Sequence, residues 1–202
     1  MLMHILTRTF LAVLPLILSP ISWSADFAKG QSAYDSGDYE TALTEWQLLA
    51  EEGDANGQFG LGLLHDNGFG VALDSLQAIK WYQSAAEQGH GEAQCNLAVM
   101  YENGWGVPQS DEEAFKWYSL AAEQGLVPAQ YSLGKMYKSG FGVARDNVMA
   151  HMWLTIAYEM GNNSARFKRD TLVSKMSVED IARSDDLARE WLDSYQNLQA
   201  QY

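Results

Sequence analysis

The chain has 202 residues, which suits one domain or a short repeat array, and 47% of them are hydrophobic, which excludes a wholly disordered polymer. It carries 26 Asp+Glu against 13 Lys+Arg, and no Lys/Arg stripe is visible, so a nucleic-acid partner, which needs clustered cations, is not expected. One cysteine, Cys95, excludes an internal disulfide, and no Cys/His spacing suits zinc, so neither metal nor cofactor is expected.

The first 24 residues read as a secretory signal peptide. Arg8 precedes a nine-residue apolar run from Phe10 to Leu18, Pro20 breaks it, and Ser22-Trp23-Ser24 offers small residues at a cleavage site. The run is shorter than the roughly 20 apolar residues a bilayer span needs. Cleavage near Ser24/Ala25, a periplasmic or secreted mature protein and no later membrane span are therefore expected.

Residues 25–56 predict a first helix pair, with Ala28, Tyr34, Gly37-Asp38-Tyr39, Ala42 and Trp46 as its marks. A 36-residue period then takes over. Gly68-Phe69-Gly70-Val71 returns as Gly104-Trp105-Gly106-Val107 and as Gly140-Phe141-Gly142-Val143. The same shift links Leu61, Leu97 and Leu133, then Ala78, Ala114 and Ala150, then Trp81, Trp117 and Trp153. A gapless period of this length marks stacked supersecondary units rather than one closed core.

Each unit predicts two helices. In the middle one, Ala93, Leu97 and Tyr101 share a helical face, and glycine ends the helix because it accepts a left-handed C-cap. Asp111 can cap a second helix striped by Ala114, Trp117, Tyr118 and Ala121, stopped at Gly125. The alanines leave room for a neighbouring helix, and the tryptophan fills the remaining groove.

The pattern Ala…Leu-(Gly/Ala)…Tyr…Gly-x-Gly-Val…Ala…Trp-Tyr…Ala-Ala…Gly resembles the Sel-one-like repeat family, a relative of the tetratricopeptide repeats. The resemblance implies an all-α fold: a right-handed superhelical solenoid of antiparallel helix pairs. It covers three units, 57–92, 93–128 and 129–165, with 25–56 as a degenerate tetratricopeptide-like pair. Cysteine-rich members of that family are linked to penicillin binding, but this chain lacks their cysteine pairs and the activity is not carried over. Residues 166–202 leave the period. Helices over 163–176 and 178–199 are expected there as a C-terminal cap, Ser177 starting the second and Ile181, Leu187, Trp191 and Tyr195 marking its apolar face.

Catalytic chemistry is not expected. No His-Glu-x-x-His, Gly-x-Ser-x-Gly or phosphate-binding loop is present. His65 fills a tyrosine slot and reads as a hydrogen-bonded core histidine, His90 lies in a turn, and His151 stands away from any recognisable acid pair. Cys95, in the slot of Phe59 and Tyr131, reads as inert because no cation beside it would lower its pKa.

Two partner surfaces are expected. One is the row Phe69, Trp105 and Phe141, each held between two glycines; such rings either anchor a partner or fold back onto their own unit. The other is the inner face of the first helices, with Phe59, Leu63, Cys95, Val99, Tyr131 and Lys135. The expected function is a monomeric periplasmic or secreted scaffold for a protein or peptide. An enzyme acting on cell-wall or polysaccharide material and a secreted factor acting on another cell remain the alternatives.

Overall fold

Caps at both ends set the helix boundaries in the computed structural model, which describes residues 26–201. The proposed signal segment lies outside the described residues. Ten helices follow in order: α1 Phe27–Ser36, α2 Tyr39–Glu51, α3 Ala55–Asn67, α4 Ser75–Glu87, α5 Gly91–Asn103, α6 Asp111–Glu123, α7 Val127–Ser139, α8 Asn147–Glu159, α9 Asn163–Val173 and α10 Val178–Gln199. Asp54, Asp74, Ser110 and Asp146 each accept backbone N–H bonds from the first turn they precede. α7 has no such side-chain cap; Pro128 in its first turn lacks the orphan N–H in any case.

Each helix packs mainly on its neighbours in the chain, so the fold is an all-helical solenoid of helix pairs. Ala78, Ala85, Ala93, Ala114, Ala121 and Ala129 are fully buried where helices cross, because a methyl is all the close approach allows. Tyr82, Tyr118 and Leu154 fill the equivalent interior slot of successive pairs. In the first pair Trp46 is fully buried, and its indole fits only because Gly30 and Gly60 carry no Cβ to meet it.

The Gly-x-Gly loops do two jobs. Gly68, Gly104 and Gly140 adopt the left-handed conformation that ends α3, α5 and α7. The second glycine of each loop presses on the start of the second helix of the preceding pair. A Cβ on Gly106 would lie 2.5 Å from the Ser75 carbonyl oxygen, and one on Gly142 would collide with the Asp111 carbonyl.

The last helix breaks the pattern. α10 packs against α8 rather than against α9. Trp191 meets Trp153 edge-on at 5.8 Å, and Tyr195 reaches Gly125 in the α6–α7 turn. Trp117 and Trp153 are buried in the core cluster that Leu187, Ala188 and Trp191 join, while Trp81, outside that cluster, stays half-buried. Fully covering a side chain of this size is worth about 1.5–3 kcal/mol, so α10 contributes substantially to the end of the stack.

His151 ties α8 to α10. Its buried Nδ1 lies 2.8 Å from the Ser184 hydroxyl and 3.8 Å from the Asp185 carboxylate, so a single acid rather than an acid pair stands beside it. Serine, histidine and aspartate here do not make a nucleophilic relay. Both partners sit on the same ring nitrogen, whereas a relay needs them on opposite nitrogens.

Candidate partner-binding groove

The first helices of successive pairs, α3, α5 and α7, repeat one outward ridge. Phe59 and Leu63 on α3, Val99 on α5, and Tyr131 and Lys135 on α7 are all half-buried. Phe59 stacks on the His90 imidazole at 4.5 Å, and the Lys135 ammonium lies 5.7 Å from the Tyr131 ring centre. His90 also caps α5, its Nδ1 accepting from the Ala93 N–H, and burial lowers its pKa. Cys95 is buried on this ridge, and burial pushes its thiol up to about 11, which makes it a poor nucleophile.

Buried tyrosine–acid pairs brace this face. The Tyr118 hydroxyl donates to Glu102 at 2.7 Å, and the Tyr82 hydroxyl donates to Asp66 at 3.3 Å. Burial raises the pKa of both phenols and disfavours their ionisation. Glu102 also lies 3.6 Å from the Lys135 ammonium. Two open clefts meet at Glu102 and Lys135. One, of about 610 Å³, runs past Tyr131 and Pro128 to Asn162; the other, of about 420 Å³, runs past Lys138 to Phe141, Arg145 and Lys168.

The aromatic row divides. Trp105 is 52% exposed and Phe141 60%. Phe69 instead stacks on Tyr39 at 4.5 Å and approaches Tyr34 at 6.0 Å, so its ring belongs to the core of the first pair. The cause lies in position 39. Its counterparts 36 and 72 residues on are Ser75 and Asp111, which offer no ring. Phe141 and Lys135 share a cleft, while Phe69, Phe59 and Leu63 do not join it.

Two sequence expectations need correction. His65 is not hydrogen-bonded: its Nδ1 is buried without a partner among the described residues, and its ring lines a separate cleft with Trp81 and Leu43. The absence of a Lys/Arg stripe holds only along the sequence. The fold gathers Lys135, Lys138, Arg145 and Lys168 around one cleft. Lys135, Lys138 and Arg145 stand out in the 36-residue register, while Lys168 comes from α9, beyond the last unit.

A buried glutamine ladder also escaped sequence reading, although Gln58, Gln94 and Gln130 share the period. Gln88 donates to Gln58 and Gln124 donates to Gln94, both at 2.8 Å. Gln94 and Gln130 in turn donate to the Ala86 and Ala122 carbonyls of the preceding pair. Met160 stands where a further glutamine would, and the Gln130 Oε1 has no partner among the described residues.

Comparison with known proteins agrees with this geometry. The Sel1 repeat model matches residues 55–90, 91–126 and 127–162. The chain belongs to the Sel1 repeat family. A Sel1 repeat protein from Oxalobacter formigenes is 34% identical, with a TM-score of 0.68 over 72% of this chain and 58% of its own. A protective antigen present in uropathogenic Escherichia coli strains, displaying an SLR fold, is 27% identical, with a TM-score of 0.51 over 88% of this chain and 49% of its own. The chain thus spans about half to three-fifths of the length of these two structures. No curated protein matches. Sel1 repeat proteins are generally scaffolds for protein interaction, and the family is generally non-enzymatic. Among the described residues no helix is long and apolar enough to cross a membrane.

Proposed function

We propose that this Sel1 repeat protein is an exported scaffold that holds a protein or peptide partner along the α5–α7 ridge and the loop aromatics beside it. The exposure of Trp105 and Phe141 carries this reading. Two large rings in equivalent loops of adjacent units stand in solvent, where aromatic side chains serve as anchors that become buried on binding. Tyr131 and Lys135 on α7 extend the same surface, and Val99 on α5 supplies its apolar flank. The apolar segment before Ser24 supports export to the periplasm or beyond.

Crosslinking in intact cells, followed by mass spectrometry, tests the assignment. Trp105→Ala/Phe141→Ala is expected to abolish the specific crosslinks of the wild type while leaving the helical content and melting curve unchanged. Crosslinks that persist unchanged in this variant would show that the partner sits elsewhere. Cell fractionation with an epitope-tagged chain tests location, and retention in the cytoplasm would overturn export.

A further inference from the structure

The 36-residue register isolates the third unit as the basic one. Lys138 stands where the first two units have Asp66 and Glu102. Lys135 stands where they have Leu63 and Val99, and Arg145 where they have Leu73 and Gln109. The partner position changes as well. Tyr82 and Tyr118 donate to the acids of their units, but the third unit has Leu154 there, and Lys138 turns instead to the Thr171 hydroxyl of α9 at 2.9 Å. Three substitutions of one sense in one unit, each facing the same cleft, alter the chemistry of that cleft and not its fold.

Apart from Lys135, the cations of this cleft lack counter-charges among the described residues. Among the described residues, no carboxylate lies within ion-pair distance of Lys138, Arg145 or Lys168, and Glu102, the acid of the cleft, already accepts from Tyr118 and lies beside Lys135. Burial and the neighbouring Lys168, Lys175 and Arg145 push the Lys138 pKa down, the mark of crowded like charges. From Lys135 to Lys175 the chain has seven Lys/Arg and three Asp/Glu, a reversal of the whole-chain balance. The screening length is about 10 Å at 0.1 M salt, so a short ligand in the cleft feels these cations more than the distant acids.

We infer that this cleft takes an acidic peptide segment, its carboxylates on Lys138, Arg145 and Lys168 and an adjacent apolar side chain against Phe141. This rests on the partner-binding reading above and names the chemistry of the partner. Arg145 offers a carboxylate two parallel bonds, and Phe141 supplies an apolar wall that phosphate chemistry does not use. A long polyanion fits less well. Nucleic acid continues its charge beyond the cleft, where the protein surface is predominantly acidic.

The test uses the protein lacking residues 1–24 and a short fluorescein-labelled peptide of clustered Asp and Glu around one Phe, read by fluorescence anisotropy. The acidic peptide is expected to bind, and its Asn/Gln counterpart to bind at least about tenfold more weakly. Binding is expected to weaken several-fold between about 0.05 and about 0.3 M salt. Arg145→Glu/Lys168→Glu should cut affinity at least about tenfold with an unchanged melting curve, and Lys138→Gln should weaken it independently. Equal binding of the neutral peptide, undiminished binding by both variants, or preference for a single-stranded oligonucleotide would each overturn the inference. Intact-cell crosslinks lost in Trp105→Ala but kept in Arg145→Glu/Lys168→Glu would leave the scaffold reading standing and remove this one.

Discussion

Gly106→Ala and Gly89→Ala form a matched pair that separates a local backbone cost from a contact between units. Both glycines are left-handed, at φ of 72° and 92°, so each alanine pays about 1–2 kcal/mol for that conformation. At Gly89 nothing lies within 4 Å of the added Cβ, and the cost ends there. At Gly106 the Cβ would sit 2.5 Å from the Ser75 carbonyl oxygen, about 0.9 Å inside the 3.4 Å edge of ordinary contact. The obstacle is backbone at the start of α4 and cannot rotate away, so overpacking adds about 1–3 kcal/mol. Gly106→Ala is therefore expected to lose about 2–5 kcal/mol and Gly89→Ala about 1–2 kcal/mol, measured by urea unfolding followed by circular dichroism. Amide exchange at Gln77 and Ala78, whose N–H groups bond back to Asp74, should accelerate in Gly106→Ala alone. Equal losses from the two substitutions, or no change at α4, would refute the claim that the loop braces the preceding pair.

Three further outcomes are expected. Tyr118→Phe removes the 2.7 Å bond to Glu102 and should cost about 1 kcal/mol of unfolding free energy in urea titration, because Glu102 is partly exposed and water recovers part of the loss; Tyr82→Phe, with a 3.3 Å bond, should cost less. Met160→Gln should stabilise the protein by about 0.5–1.5 kcal/mol by giving the buried Gln130 Oε1 a donor, and an unchanged urea midpoint would contradict that pairing. Acid should loosen α10. Burial lowers the His151 pKa more than Asp185 and Asp170 raise it, and Arg169 lowers it further, so the unfolded chain takes the proton first. The stabilisation is complete above about pH 6.5 and is lost as pH falls toward the folded-state value. The protection of Ala188, with the intrinsic pH dependence of exchange divided out, should fall between about pH 6.5 and about pH 5 in the wild type and fall less in His151→Gln; equal losses of protection would exclude His151 as the cause.

The period and the helix pairs were legible because glycine, alanine and the aromatics recur at one spacing, and each has a backbone or packing reason to do so. Which rings stand in solvent was not legible from the row itself. Phe69, Trp105 and Phe141 occupy one position, and only the ring across from them, Tyr39 against Ser75 and Asp111, distinguishes them. The basic cleft was missed for a similar reason. Its four cations are spread from Lys135 to Lys168 across two helices and a loop, and the one dense run, Arg166 to Arg169, does not reveal that Lys135, Lys138 and Arg145 share a cleft with it. Aligning the units against one another, rather than reading along them, exposes both features. The packing of α10 on α8 has no counterpart in the period, and its apolar face at Leu187 and Trp191 did not say which helix it covers.

The glutamine ladder makes the three units unequal as building blocks. In the unit 91–126, Gln94 donates backward to Ala86 of the preceding unit and accepts from Gln124 of its own, so it ties the unit both to its neighbour and to itself. The unit 127–162 ends the series with Met160. A copy of the middle unit could be inserted beside itself with every rung intact, whereas a duplicated last unit would repeat the unmatched Gln130 carbonyl that it already carries. The middle unit is therefore a better template than the last one for lengthening the array.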